Sequence, residues 1–306
     1  MRLSRMGIAA ALVSAAFSGT LAAQVVQGSS SIPPTQPGSV PSRRTLASDD
    51  PETQLMGYYA AVMQFTPVGL PSKSGSFEIG GAASFIPAIS LSDRTAGFGG
   101  TKVENTNLCS VFPRITASKG FGRFGVEAGY TPPVSVCGVK ATVVGLAIGR
   151  RMVLGATWDG YARLSAMSGT VDVSSTCSAS AIADPLDETC YGGSISHDKI
   201  APFSGTLEFD AAYQGWRAAR LEPYLGAGIR YERVNFDVNY TRDSTQGAAV
   251  TLPPLDDHNR LRATLTRVHL VAGMAWDVVR HVRIAGELYY APGALMTIRG
   301  RAAVAL

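Results

Sequence analysis

The stretch LEPYLGAGIRYERVNFDVNY, from Leu221 to Tyr240, constrains this chain more than any other. Leu221, Pro223, Leu225, Ala227, Ile229 and Tyr231 occupy its odd positions, and Glu222, Arg230 and Glu232 occupy even ones. Alternation with a period of two is the signature of a β-strand with one apolar face. In a soluble sandwich that face points inward. In a membrane barrel it points outward to lipid, and the charges line the interior. Beyond Tyr231 the apolar parity flips at Val234, Phe236 and Val238, which predicts a bulge near Glu232–Arg233.

The connections between such stretches decide between the two folds. From residue 75 onward the pattern predicts about ten strands, with eight or twelve as alternatives: Phe77–Ile89, Val111–Ser118, Arg123–Tyr130, Val139–Ile148, Met152–Val173, Phe203–Gln214, Leu221–Val238, Leu261–Asp277, Val282–Ala291 and Leu295–Leu306. The links after the even strands are short: KGFG, GRR, GWRAAR and VVRH. Those after the odd strands are mostly long and polar, including SSTCSASAIADPLDETCYGGSISHDK. Short turns on one side and long loops on the other are the asymmetry of transmembrane barrels, and a sandwich has no reason to sort its loops this way. The expected fold is therefore all-β: a transmembrane antiparallel up-and-down barrel at residues 75–306.

Composition agrees. Only 16% of the 306 residues are charged, against 46% hydrophobic, where soluble domains carry roughly a quarter charged. A net charge of +4 without a basic run gives no reason to expect a nucleic-acid partner. The chain begins with Arg2 and Arg5, then an uncharged run of small and apolar residues. That is the pattern of a secretory signal peptide, residues 1–23, cleaved after Ala22 or Ala23. A Ser/Pro-rich periplasmic linker follows at 24–49, then an amphipathic helix at 50–66 capped by Asp50. Leu55, Tyr58, Tyr59, Val62 and Met63 fall on one face of that helix. The favoured expectation is a helix packed on the outside or end of the barrel, the alternative a plug inside it.

The inward parity collects Glu127, Asp159, Arg163, Glu208, Asp210, Arg230, Arg267, His269, Arg283, Glu287, Arg299 and Arg301. Arg283 and Glu287 are expected to face Arg299 and Arg301. Glu208 and Asp210 are expected beside the strand of Asp159 and Arg163. Mixed signs in a narrow barrel predict a charge network that largely fills the lumen. Ala141, Val143, Gly145 and Ala147 make one inward side small and apolar, with room for the helix or a hydrophobic ligand. Cys109, Cys137, Cys177 and Cys190 all fall on the long-loop side, which predicts the bridges Cys109–Cys137 and Cys177–Cys190. No metal or cofactor motif is present in the sequence.

The strands EPYLGAGIRYE and VRIAGELYYAP resemble those of small outer-membrane barrels of the OmpA/OmpW-like kind, and the likeness covers residues 75–306. The last strand, ALMTIRGRAAVAL, resembles the C-terminal strand that the barrel-assembly machinery reads, although Leu306 stands where an aromatic residue is usual. The resemblance implies a cell outer-membrane location in contact with its lipid, with long loops extracellular and the N-terminal segment periplasmic. It also implies a structural or surface-contact role, or a narrow porin-like channel for small or hydrophobic solutes. Omptin proteases are ten-stranded barrels with paired Asp and Asp–His at the outer rim. LDDHN places Asp256 and His258 on the correct side, but Asp93 stands alone where a second Asp is needed. His197–Asp198 is a further adjacent pair in a loop. A non-enzymatic role is therefore the expectation.

Overall fold

The computed structural model describes residues 43–100, 102–106, 110–187, 189–216, 219–242 and 255–306. The signal peptide and most of the linker lie outside these. Ten strands form the wall: β1 Phe77–Phe85, β2 Val111–Phe121, β3 Phe124–Thr131, β4 Val139–Val153, β5 Trp158–Val173, β6 Asp198–Tyr213, β7 Leu221–Asp237, β8 Arg260–Val279, β9 Val282–Ala291 and β10 Leu295–Ala305. Each pairs antiparallel with its sequence neighbours, and β10 closes on β1 through the register Arg299↔Ser84 to Ala305↔Glu78. Closure leaves no unpaired sheet edge around the belt, as a hydrocarbon environment demands.

Three successive residues of β7 settle which way the wall faces. Ile229 is 56% exposed, Arg230 0% and Tyr231 44%. Most of the wall's large apolar residues face outward, and the inward parity carries the buried charges except on β4, whose inward side is the small set Ala141, Val143, Gly145 and Ala147. Leu146, Leu164, Phe209, Leu225 and Ile298 are among the large apolar residues left exposed. A closed barrel with a continuous apolar exterior is a membrane barrel.

Two local expectations are corrected. The turn between β4 and β5 is formed by residues 154–157, not by the Gly149–Arg151 stretch, because β4 runs on to Val153. Leu154 and Ala156, inside the expected strand Met152–Val173, therefore belong to a turn. The bulge near Glu232–Arg233 is absent. The β7–β8 ladder runs without a break from Leu221↔Trp276 to Asp237↔Arg260. Parity never changes: Glu232 and Val234 are both buried inside, and the lumen turns apolar at that height.

The reason is the helix α1, Pro51–Met63, which lies within the barrel. The favoured expectation of an external helix is thus overturned in favour of the plug. Its thirteen residues span about 20 Å at 1.5 Å per residue. Eleven of them are buried, Thr53, Met56, Ala60 and Ala61 as well as the expected face. A helix packed on an outer surface would bury one stripe; encirclement buries all sides. Val143, Val171, Ile200, Val234, Ala263 and Val271 line the wall around it in one apolar core. Asp50 holds the N-cap position, yet its carboxylate accepts from the Ala47 N–H at 2.8 Å and not from the helix.

The chain enters from the long-loop end. Arg43–Thr45 pairs in parallel with Arg260–Arg262, at the top of β8 where β9 no longer reaches. These residues share one end of the barrel with the long loops. Below the helix the chain descends to the short-turn end, where the Gly75 N–H donates to the Gly120 carbonyl and Lys73 pairs with Asp277.

Candidate functional site

The lumen is the candidate site, and its lower half is built around the descending segment 63–73. Arginines from four strands take hold of that segment. Arg114 of β2 donates to the Met63 carbonyl at 2.8 Å, where the helix presents the negative end of its dipole. Arg230 of β7 donates to the Gln64 side chain, which also accepts from the Tyr289 hydroxyl at 2.5 Å. Arg299 of β10 donates to the Thr66 hydroxyl at 2.6 Å. Arg163 of β5 donates to the carbonyls of Pro67 at 3.0 Å and Gly69 at 2.6 Å. At the other end Arg267 of β8 donates to the Gln54 side chain at 3.0 Å. A backbone in an irregular conformation exposes carbonyls that no ladder satisfies, and guanidinium groups supply the missing donors.

Among the ten wall strands, every buried arginine except Arg114 meets a carboxylate. Arg163 sits 2.6 Å from Glu208 and 2.9 Å from Asp210, and Glu208 also meets His269 at 2.7 Å. Arg299 pairs with Glu287, whose other oxygen accepts from Tyr224 at 2.7 Å and from the Gly69 N–H at 3.3 Å. Arg230 pairs with Glu232 at 2.9 Å. Arg301 reaches Glu78 at 3.2 Å and Glu127 at 3.7 Å. Eleven of the twelve charged residues read from parity are buried in the lumen and Arg267 is half-buried. Two pairings differ from those expected. Arg283 meets Glu222 at 2.7 Å, and Asp159 meets Arg151 at 2.5 Å.

Room for the plug comes from glycine. A methyl group at Gly145 would lie 2.2 Å from the Phe65 ring, and one at Gly129 2.5 Å from it. Both residues face inward on adjacent strands in direct register, so together they form the slot that the ring occupies. Phe65 is 1% exposed, and Arg114 stacks over it at 5.4 Å.

The long loops cover the upper end and bind the helix to it. Cys177 and Cys190 are bridged. Cys137 is disulfide-bonded, and its expected partner Cys109 lies outside the described residues. Asp198, beside His197 in sequence, is buried at the start of β6. Its buried carboxylate accepts from the N–H groups of Ser175, Thr176 and Asn239 and from the Ser196 hydroxyl, at 2.7–3.1 Å. It thereby fastens two loops together. The Tyr59 hydroxyl meets Ser175 at 2.8 Å, joining helix to loop. Beside it Glu104 pairs with Lys102 at 3.2 Å, and burial pushes its carboxyl up to about 7. Asp93 is exposed and accepts from the Ser90 hydroxyl at 2.7 Å. Asp256 lies in a short strand opposite Thr241. No cluster of His, Cys, Asp and Glu suited to a metal occurs among the described residues.

Sequence reasoning passed over Glu78, Arg114 and Tyr289. All sit on the inward parity of their strands and could have been collected by extending the same rule. Gln64 and Thr66 carry no such signal, because they follow the helix in an irregular stretch.

Compared with known proteins, the chain matches no family model and no curated sequence. Among solved structures it is similar to the attachment invasion locus protein Ail of Yersinia pestis, at 10% identity over 75% of this chain and 93% of that one, with a TM-score of 0.29. Neisserial surface protein A shows 10% identity over 76% and 95%, TM-score 0.26. The Ralstonia pickettii toluene transporter TbuX shows 10% identity over 80% and 92%, TM-score 0.28.

Proposed function

We propose that this protein is a non-enzymatic outer-membrane barrel of structural or surface-contact type, closed by its own N-terminal segment. One observation carries the reading: the segment 63–69 is held inside the wall by Arg114, Arg163, Arg230 and Arg299, the last three themselves paired with carboxylates. A path for solutes would have to break those contacts. The apolar hollow beside the helix, between Tyr59, Met63, Phe112, Val134 and Val139, measures only about 70 Å³, well short of the roughly 300–1,000 Å³ of ligand pockets. That weighs against a resident hydrophobic solute.

The apolar belt supports contact with outer-membrane lipid, and the outward face of β10 up to Leu306 supports reading by the barrel-assembly machinery. No helix of the described residues is long and apolar enough to cross a membrane, so the strands would do the crossing. The stapled loop cover becomes the working surface, and Arg43 enters on that same side.

Conductance across a planar lipid bilayer tests this. The folded chain is expected to insert and stay silent, while the Arg163→Gln/Arg230→Gln variant, with its plug loosened, is expected to show discrete steps. Steps from the unaltered protein would overturn the closed-lumen reading and install the narrow channel in its place.

A further inference from the structure

We propose that the short-turn mouth of the barrel is a binding site for phosphate-bearing anions. The mouth encloses about 720 Å³, within the roughly 300–1,000 Å³ range of ligand sites, and segment 71–76 forms part of its lining. Three carboxylates line it, and all are already engaged: Glu78 by Arg301, Glu222 by Arg283 and Asp277 by Lys73. Arg123, Arg220 and Arg280 line the same cavity, are exposed, and have no carboxylate partner among the described residues. Each comes from a different short turn. The three converge on one bowl with no carboxylate engaging them and form a field for an incoming anion.

Arg220 carries a second indication. Its φ is +58°, a conformation that glycine or asparagine would hold more easily. The position nonetheless keeps a guanidinium. Arginine is the side chain suited to phosphate, through its fork of donors and permanent charge. The headgroup of an anionic phospholipid and a soluble phosphate compound share that chemistry. The site stands whether or not the lumen above is closed.

The probe is inorganic pyrophosphate, titrated by calorimetry into the full folded chain in zwitterionic detergent at low salt. Saturable binding is expected, weakened at least tenfold by Arg123→Gln/Arg220→Gln/Arg280→Gln. Removing three cations at the other end, Lys140→Gln/Lys199→Gln/Arg233→Gln, is expected to leave it unchanged. The triple lysine variant of the three arginines keeps the charge and is expected to bind at intermediate strength, which separates loss of the site from failure to fold. Absence of saturable binding, or equal loss in both glutamine triples, would overturn the proposal. Nanodiscs distinguish the source: if phosphatidylglycerol discs block pyrophosphate and phosphatidylcholine discs do not, the site takes headgroups. Undiminished binding in both assigns it to soluble phosphates.

Discussion

Replacing Arg163 with glutamine is expected to be among the costliest single changes in the barrel. Its guanidinium lies between Glu208 and Asp210 and donates to two plug carbonyls. Removing one partner of a buried ion pair costs about 3–5 kcal/mol, and each lost hydrogen bond from a charged donor about 1.5–3 kcal/mol. These are not additive, and glutamine can keep one carbonyl contact, so the net loss is expected near 5 kcal/mol, or roughly 3 at the least. Glu208 would retain His269 at 2.7 Å, which leaves Asp210 as the stranded charge. Asp210→Asn in the same chain should then recover about 3 kcal/mol, since a neutral amide tolerates burial better than an unpaired carboxylate. Urea unfolding in lipid vesicles, followed by tryptophan fluorescence across the four chains of a double-mutant cycle, measures both quantities. A single-variant loss below about 1 kcal/mol, or a coupling within about 0.5 kcal/mol of zero, would refute the view that Arg163 stabilises the barrel by balancing Asp210.

Gly145→Val should collide with Phe65, whose ring is 2.2 Å from the new carbon. Overpacking of this kind costs about 1–3 kcal/mol, and adding Phe65→Ala should remove the collision, so the pair should lose less than the sum in a heat-mobility assay. Because burial raises the Glu104 carboxyl from 4.5 to about 7, the folded state binds the extra proton. The loop cover should therefore be firmest below pH 4.5 and lose about 3 kcal/mol as pH rises through 7. Hydrogen exchange at residues 175–178 reads this, and Glu104→Gln should flatten the profile. Cys177→Ser/Cys190→Ser should cost about 3 kcal/mol by the loop-entropy account. The same change should speed proteolysis near the exposed Leu186, and equal cleavage rates with and without reductant would count against a structural bridge.

Much of the candidate site was legible before any coordinates. Strand parity is local, because successive side chains must point to opposite faces. One rule therefore assigned Arg163, Glu208, Arg230 and Glu287 to the interior together. Pairings were less accessible. Glu287 with Arg299 follows from direct register on neighbouring strands. Arg283 with Glu222 instead spans β8, which lies between their two strands. Long side chains choose such partners by reach in the closed barrel, which no strand contains by itself.

A membrane barrel with a charged interior was already written in the strands and links, because outward apolar parity and one-sided loop lengths are local properties of each. What occupies that interior was settled by closure. An amphipathic stretch at 51–63 has the same local pattern whether it lies on a wall or inside one. Val234 and Phe236 could have signalled a bulge as readily as an apolar lining. Closure resolved both at once: ten strands enclose a space that must be filled, and an apolar upper lumen is stable only with a helix against it. The direction of entry depended on the same closure, since the unpaired top of β8 offered Arg43–Thr45 a ladder at the loop end.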